Sequence, residues 1–394
     1  MNLIDTPIIT SMLDDDLYKF TQQQAFMELF PEAVGVYRFH NRGTQRFNGD
    51  FLDTLAFQLK ECLPALRTTD EELSFLAKRC PFLKLWYLDA LKNYRYNPQA
   101  VSFCLDDDNN LQWQAYGLCQ KEIMWEVKTM AIISEVYFRV VEPEWTMEGQ
   151  EELARSKARQ LSDNGCTYID FGTRRRRNYA TQDIVMREMK EFKGFAGTSN
   201  VHLAMKNDMT PKGTQAHEWV MAMQALEGIR NCNYYALNNW VRVYNGSLGI
   251  ALPDTVGVKQ FLKNFGLRYA KLYDGVRWDS GDPYWFTDLM GNHYKSLKID
   301  PMTKNIIYSN ALDCERAIEI QKYCINKIRA SFGIGTFFTN DFGLSKALNM
   351  VIKLWSVNGI PVVKLPDDDG KVMGDEDAIR VTRWICQRKA LDER

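Results

Sequence analysis

Residues 151–172, EELARSKARQLSDNGCTYIDFG, decide how this chain is read. The first fourteen carry the apolar spacing of a helix, and TYIDF (167–171) is a short apolar run suited to a buried strand. The alternation then repeats. Helices are expected over 180–192, 256–265, 283–290 and 314–328, and strands over 194–196, 249–252, 271–273, 305–309 and 328–332. Polar clusters close the strands at Phe171, Thr198, Asp254, Arg277, Ser309 and Gly335. Neighbouring clusters lie 23 to 32 residues apart, except for one double-length gap between Thr198 and Asp254 that has room for a further unit. Such βα units suit a parallel α/β barrel, with an open doubly wound sheet as the alternative. Neither GxGxxG nor GxxxxGK[ST] follows a strand, so neither nucleotide-binding fingerprint applies.

Upstream the pattern is mixed. Residues 17–30, 51–62 and 71–78 look helical, 35–40 and 113–118 look extended, and 121–140 reads as a buried helix linking two regions. The expected organisation is an N-terminal α+β domain over 1–140, a barrel over 141–365, and a segment 366–394 returning to the first domain. The tail, 371–387, is expected to form a short strand.

The chain has 394 residues, 45% of them hydrophobic, enough for roughly two or three domains. A net charge of −1 leaves no electrostatic footprint for nucleic acid or an anionic membrane. Nine scattered cysteines without a CxxC pair suit reduced thiols rather than a disulfide framework or structural zinc. Residues 1–10 lack the basic start and apolar core of a signal peptide, and no apolar run is long enough to cross a bilayer. The expectation is a cytoplasmic protein.

The chemistry concentrates at the strand ends. GVRWDSGDP (275–283) puts a cation, carboxylates, a hydroxyl and a flexible backbone within a few residues. Arg277 can face an anion or stack on a flat ring, and Asp279 can accept from ribose hydroxyls or help hold a metal, with Ser280 beside it; an ordinary acidic turn is the alternative. Asp170-Phe-Gly-Thr-Arg-Arg-Arg-Arg177 places Phe171 and Arg174 where a phosphate can meet guanidinium groups, or else forms a solvated basic face. Gly197-Thr-Ser-Asn200 offers Thr198 and Ser199 as helix caps or as ligand donors. Gly213-Thr-Gln-Ala-His-Glu218 brings Thr214 and Glu218 beside His217, one of only four histidines. A histidine at a helix start tends to stay neutral and nucleophilic, and the same field favours an incoming phosphate. Asp254 in LPDT can orient such a histidine, as a third triad member does, or cap a helix. Ser309-Asn310 and Gly335-Thr336 close strands with exposed amides suited to phosphate or to tight turns.

Eight motifs in order, DDDLYKF (14–20), DFGTRR, GTSN, GTQAHE, LPDT, VRWDSGDP, SNALD and FGIGT, resemble the nicotinate phosphoribosyltransferases, ATP-coupled enzymes of NAD salvage. The resemblance covers nearly the whole chain. It implies an irregular α/β barrel, TIM-like and of the type II phosphoribosyltransferase kind, with a smaller α+β domain built from the chain ends. Nicotinate, phosphoribosyl pyrophosphate, ATP and water would give nicotinate mononucleotide, pyrophosphate, ADP and phosphate, with Mg²⁺ as cofactor. Tyr18 and Phe171 would sandwich the pyridine ring, Arg277 and Arg174 would hold the ring and nearby anions, and Asp279 the ribose hydroxyls. Ser309–Asn310 and Gly335–Thr336 would hold the 5′-phosphate, and Thr214 would touch nicotinate. His217 would be phosphorylated by ATP, with Glu218 and Asp254 orienting it. Ser199, standing where nicotinamide enzymes carry an aspartate, argues for the acid, because free donors suit a carboxylate and an aspartate repels it. The SNALD turn lacks the Gly-Asp of nicotinamide relatives. The chain is expected as monomer or homodimer: Tyr18 comes from the neighbouring subunit in dimeric relatives, and in a monomer it must reach its own barrel. The alternatives are a nicotinamide or quinolinate phosphoribosyltransferase, or a non-catalytic sugar-phosphate-binding barrel.

Overall fold

Two sheets organise residues 5–387, the part of the chain that the computed structural model describes. Strands β1 (Val34–Asn41), β2 (Val101–Leu105) and β3 (Leu111–Leu118) form an antiparallel sheet near the start of the chain. The barrel strands are β4 (Tyr168–Asp170), β5 (Phe195–Thr198), β6 (Ile250–Ala251), β7 (Gly275–Trp278), β8 (Asn305–Tyr308) and β9 (Arg329–Ile334). They pair in parallel in the order β5-β4-β9-β8-β7-β6. Strands β10 (Met350–Val357) and β11 (Ile360–Pro361) then return to the first sheet, giving the order β11-β10-β1-β3-β2.

The two edges of the parallel sheet, β5 and β6, do not pair, and the double-length gap holds helices in place of a further strand. An irregular segment bridges them, by its backbone to β5 and by a side chain to the end of β6: Lys212 N donates to Thr198 O at 2.8 Å, and Leu252 N donates to Gln215 Oε1 at 3.4 Å. The result is an α/β barrel with one irregular seam, beside an antiparallel sheet built from both ends of the chain.

Three helices bear on the chemistry at the barrel mouth: α1 (Leu17–Leu29), α2 (Trp125–Val136) and α3 (His217–Leu226). Every residue of α2 is buried, so its Glu126, Lys128 and Glu135 must find partners inside the protein.

Several sequence expectations need correction. Residues 271–273 end a helix (Leu267–Leu272) that buries Tyr269 and Ala270, and the strand starts only at Gly275. A Cβ there would lie 1.9 Å from Asn305 O, so only glycine lets β7 close on β8. The tail is a helix, Glu376–Gln387, rather than a strand. Asp375 caps it, its Oδ1 accepting from Asp377 N and Ala378 N, and acidic Glu376 and Asp377 suit the N-terminal dipole. This helix packs on Ile229–Asn231 and on Gln260 of the barrel, so the return to the first domain belongs to β10 and β11 and begins before residue 366. Strands β2 and β10 went unread. No helix among the described residues is long and apolar enough to cross a membrane, and all nine cysteines are free thiols.

Candidate active site

A cleft of about 520 Å³ opens at the C-terminal ends of the barrel strands. Its barrel wall carries Phe171, Arg174 and Arg175 after β4, Ser199 after β5, Arg277 and Asp279 at β7, Ser309 and Asn310 after β8, and Gly335 and Thr336 after β9. The facing wall comes from the antiparallel sheet and the segment after it: Arg42, Val351, Lys353, Lys364 and Lys371.

The N-terminal segment reaches the barrel of its own chain. Leu17 N donates to Ser199 O at 2.8 Å and Val201 N donates to Asp15 O at 2.9 Å, which brings Asp16 and Tyr18 into the cleft. The three aspartates at its base each take a different partner: Asp14 accepts from Arg176 in a fork of two 2.7 Å bonds and from Asn200 Nδ2 at 2.7 Å, Asp15 pairs with Lys128 at 2.6 Å, and Asp16 accepts from Ser199 at 2.7 Å. Arg176 and Arg177 therefore point inward, Arg177 onto the ring of Phe138 and the hydroxyl of Ser345. Only Arg174 and Arg175 of the four-arginine run line the cleft.

His217 opens helix α3 and is buried. Its Nε2 lies 2.9 Å from Asp254 Oδ1 and 3.7 Å from Asp279 Oδ2, and Ser280 Oγ donates to Asp254 Oδ2 at 2.7 Å. Burial, then the charge of Lys364, outweigh the two aspartates and push the imidazole down to about 4, so it is neutral at physiological pH. A carboxylate against Nε2 holds the proton there and leaves the Nδ1 lone pair free for chemistry. Burial would raise Asp279, but Arg277 and then Lys364 hold it well below the usual carboxylate range.

Arg277 is fixed on three sides. Its Nε donates to Ser309 Oγ at 2.7 Å, one terminal nitrogen to Thr214 Oγ1 at 3.0 Å and the other to Asp279 Oδ1 at 3.1 Å, while its guanidinium carbon lies 5.9 Å from the Phe171 ring centroid. Lys371 ties the opposite wall to this one, donating to Asp279 O at 2.7 Å and Asn310 Oδ1 at 2.6 Å. Burial and the neighbouring Arg174 and Arg42 pull Arg175 down to about 10, the mark of cations crowded together.

Four expected residues play other parts. Glu218 turns away from His217 and takes Lys19 at 2.5 Å, because the helix directs successive side chains apart. Thr198 donates to Asp170 Oδ2 at 2.7 Å and Ser280 serves Asp254; neither lines the cleft. Ser199 lines it, but its hydroxyl is committed to Asp16 and its amide to Asp170 O at 2.9 Å. The free donors and missing carboxylate read from GTSN are thus not there, since Asp16 supplies a carboxylate from a distant part of the chain. The sequence also left Arg42, Arg175, Lys353, Lys364 and Lys371 unread. Of these, only Lys353 carried a local signal, the alternation of Met350–Val357 with Val351 and Lys353 on its less buried face.

His217, Asp254 and Asp279 each offer one ligand atom, and these atoms lie within 4.8 Å of one another. Two carboxylates suit a hard divalent cation; the imidazole is a poorer partner for it.

Residues 166–387 match the nicotinate phosphoribosyltransferase (NAPRTase) family, and residues 13–134 match the N-terminal domain of that family. The chain belongs to the nicotinate phosphoribosyltransferase family. It is 48% identical to the nicotinate phosphoribosyltransferase of Methanosarcina mazei, over 98% of this chain and 100% of that one. Identity to the enzyme of Chromohalobacter salexigens is 40%, over 96% and 98%. The crystal structure of nicotinate phosphoribosyltransferase from Porphyromonas gingivalis superposes with a TM-score of 0.93 at 38% identity, covering 96% of this chain and 100% of that one. That from Vibrio cholerae gives 0.93 at 32% identity, covering 98% and 96%.

Proposed function

We propose that the chain transfers the phosphoribosyl group of phosphoribosyl pyrophosphate to the ring nitrogen of nicotinate, in cytosolic NAD salvage. Nicotinate mononucleotide and pyrophosphate leave. ATP phosphorylates His217, ADP departs, and water later releases phosphate. The observation that carries this reading is the Ser280–Asp254–His217 chain ending beside Asp279 and Arg277 in one cleft.

Breaking the bond at C1′ puts positive charge on the ribose and negative charge on the departing pyrophosphate. Lys353, Lys364 and Arg42 on the facing wall, with Arg175 on the barrel wall, supply cations suited to those phosphates, and Asp279 would accept from the ribose hydroxyls. Asp254 and Asp279 would hold Mg²⁺, which when bound spreads the leaving-group charge. Tyr18 and Phe171 offer faces for the pyridine ring, with Arg174 for its carboxylate. Ser309, Asn310 and the Gly335–Thr336 turn are left for the 5′-phosphate. A phosphoryl group on His217 sits at a helix N-terminus near Lys364, both favourable to its charge.

Asp16 favours one competing substrate, nicotinamide, whose amide can donate to it. The purified chain with phosphoribosyl pyrophosphate and Mg²⁺ is therefore assayed on nicotinate and nicotinamide, with and without ATP. ATP-stimulated product from nicotinate supports the proposal; product from nicotinamide alone refutes it.

Two further outcomes are expected. Gly333→Ala would place a Cβ 2.3 Å from two ring carbons of Phe171, so the ring must leave its position. Nicotinate KM then rises roughly tenfold, about 1.4 kcal/mol, in steady-state kinetics. The second concerns pH. Because His217 loses its proton only above about 4, phosphate incorporation stays level between roughly pH 6 and 8 and falls only as pH drops toward 4. Rapid-quench labelling across that range checks it; a midpoint near the ordinary 6.5 contradicts it.

A further inference from the structure

Helix α1 grips His217 from behind the cleft. Lys19 and Gln22 stand three residues apart on one face of α1, both fully buried. Lys19 Nζ donates to Glu218 Oε1 at 2.5 Å and also pairs with Glu126. With the Gln22 amide turned to satisfy its neighbours, its nitrogen donates to Glu218 Oε1 at 2.8 Å and its oxygen accepts from Ala216 N at 2.9 Å. The residues on either side of His217 are thus both held by α1. Tyr18, on the same turn, lines the cleft, its ring centroid 5.0 Å from the Lys19 ammonium. Glu126 extends the connection to two more cleft residues, Arg174 at 3.3 Å and Lys353 at 3.5 Å.

We propose that Lys19 and Gln22 are positioning residues that couple the ring-binding end of the cleft to His217 through helix α1. Tyr18 and the two clasps share one rigid turn, so an aromatic ring settling against Tyr18 moves the Ala216 and Glu218 anchors with it. A buried ion pair has discrete geometry, which transmits such a shift where a greasy contact would blur it. The inference rests on the reaction proposed above.

The test is the number of ATP molecules consumed per nicotinate mononucleotide formed, measured in wild type and Lys19→Met. The ratio is expected to rise about fivefold or more in the variant, because loss of the His217 phosphoryl group to water no longer waits for the ring. Lys19→Met leaves Glu218 with the Gln22 amide and Glu126 with Arg174 and Lys353, and its fold is checked by circular dichroism. Gln22→Met removes one clasp without stranding a charge and is read in the same way. A wild-type ratio in a folded variant, at whatever overall rate, overturns the coupling, since a merely structural role lowers both fluxes together. Wild-type product without any ATP consumption overturns the phosphohistidine reading, and this inference with it.

Discussion

In His217→Ala, ATP no longer accelerates formation of nicotinate mononucleotide, whereas a slow ATP-independent transfer persists. The imidazole is neutral, its Nε2 is occupied by Asp254, and it stands at the first position of a helix. Removing it deletes the phosphoryl acceptor but leaves Arg277, Asp279 and the aromatic faces in place. The cavity left behind is lined by Asp254, which loses its partner but keeps Ser280 and the charge of Lys364. Initial rates with and without ATP, at matched phosphoribosyl pyrophosphate, measure the effect. Stimulation that survives moves the acceptor to another residue.

Arg277→Ala is expected to lower kcat/KM for phosphoribosyl pyrophosphate by about 10²–10³, or roughly 3–4 kcal/mol of transition-state stabilisation. Few side chains are so fully engaged: Ser309, Thr214, Asp279 and the Phe171 face all meet one guanidinium. Arg277→Lys restores the charge without the fork and recovers only a small part of the loss. Steady-state kinetics with each substrate varied decide the matter. A change confined to nicotinate KM, within tenfold, places Arg277 at the ring alone.

The barrel half of this protein was legible because each strand end carries its own polar signature, and the motif residues Phe171, Thr214, His217, Asp254, Arg277, Asp279 and Ser309 do converge. What the sequence hid was partnership. Asp14, Asp15 and Asp16 open the DDDLYKF motif with nothing local to name their partners, and those partners, Arg176, Lys128 and Ser199, lie more than a hundred residues away. The resemblance cast Glu218, beside His217, as one of its orienters, and helical geometry sends it to Lys19. The facing wall was invisible for a topological reason: Lys353, Lys364 and Lys371 reach the cleft only because β10 pairs with β1 across most of the chain. An alternating lysine on a strand carries no mark of the sheet it will join.

The central claim is that transfer to nicotinate is driven through a phosphate on His217. The direct measurement loads the protein with ATP labelled in its γ-phosphate, removes free nucleotide, and adds nicotinate with phosphoribosyl pyrophosphate. Label on His217, lost as inorganic phosphate in step with a burst of nicotinate mononucleotide, is the predicted result. Label that never appears there, or that decays at the same rate with and without nicotinate and phosphoribosyl pyrophosphate, contradicts the account.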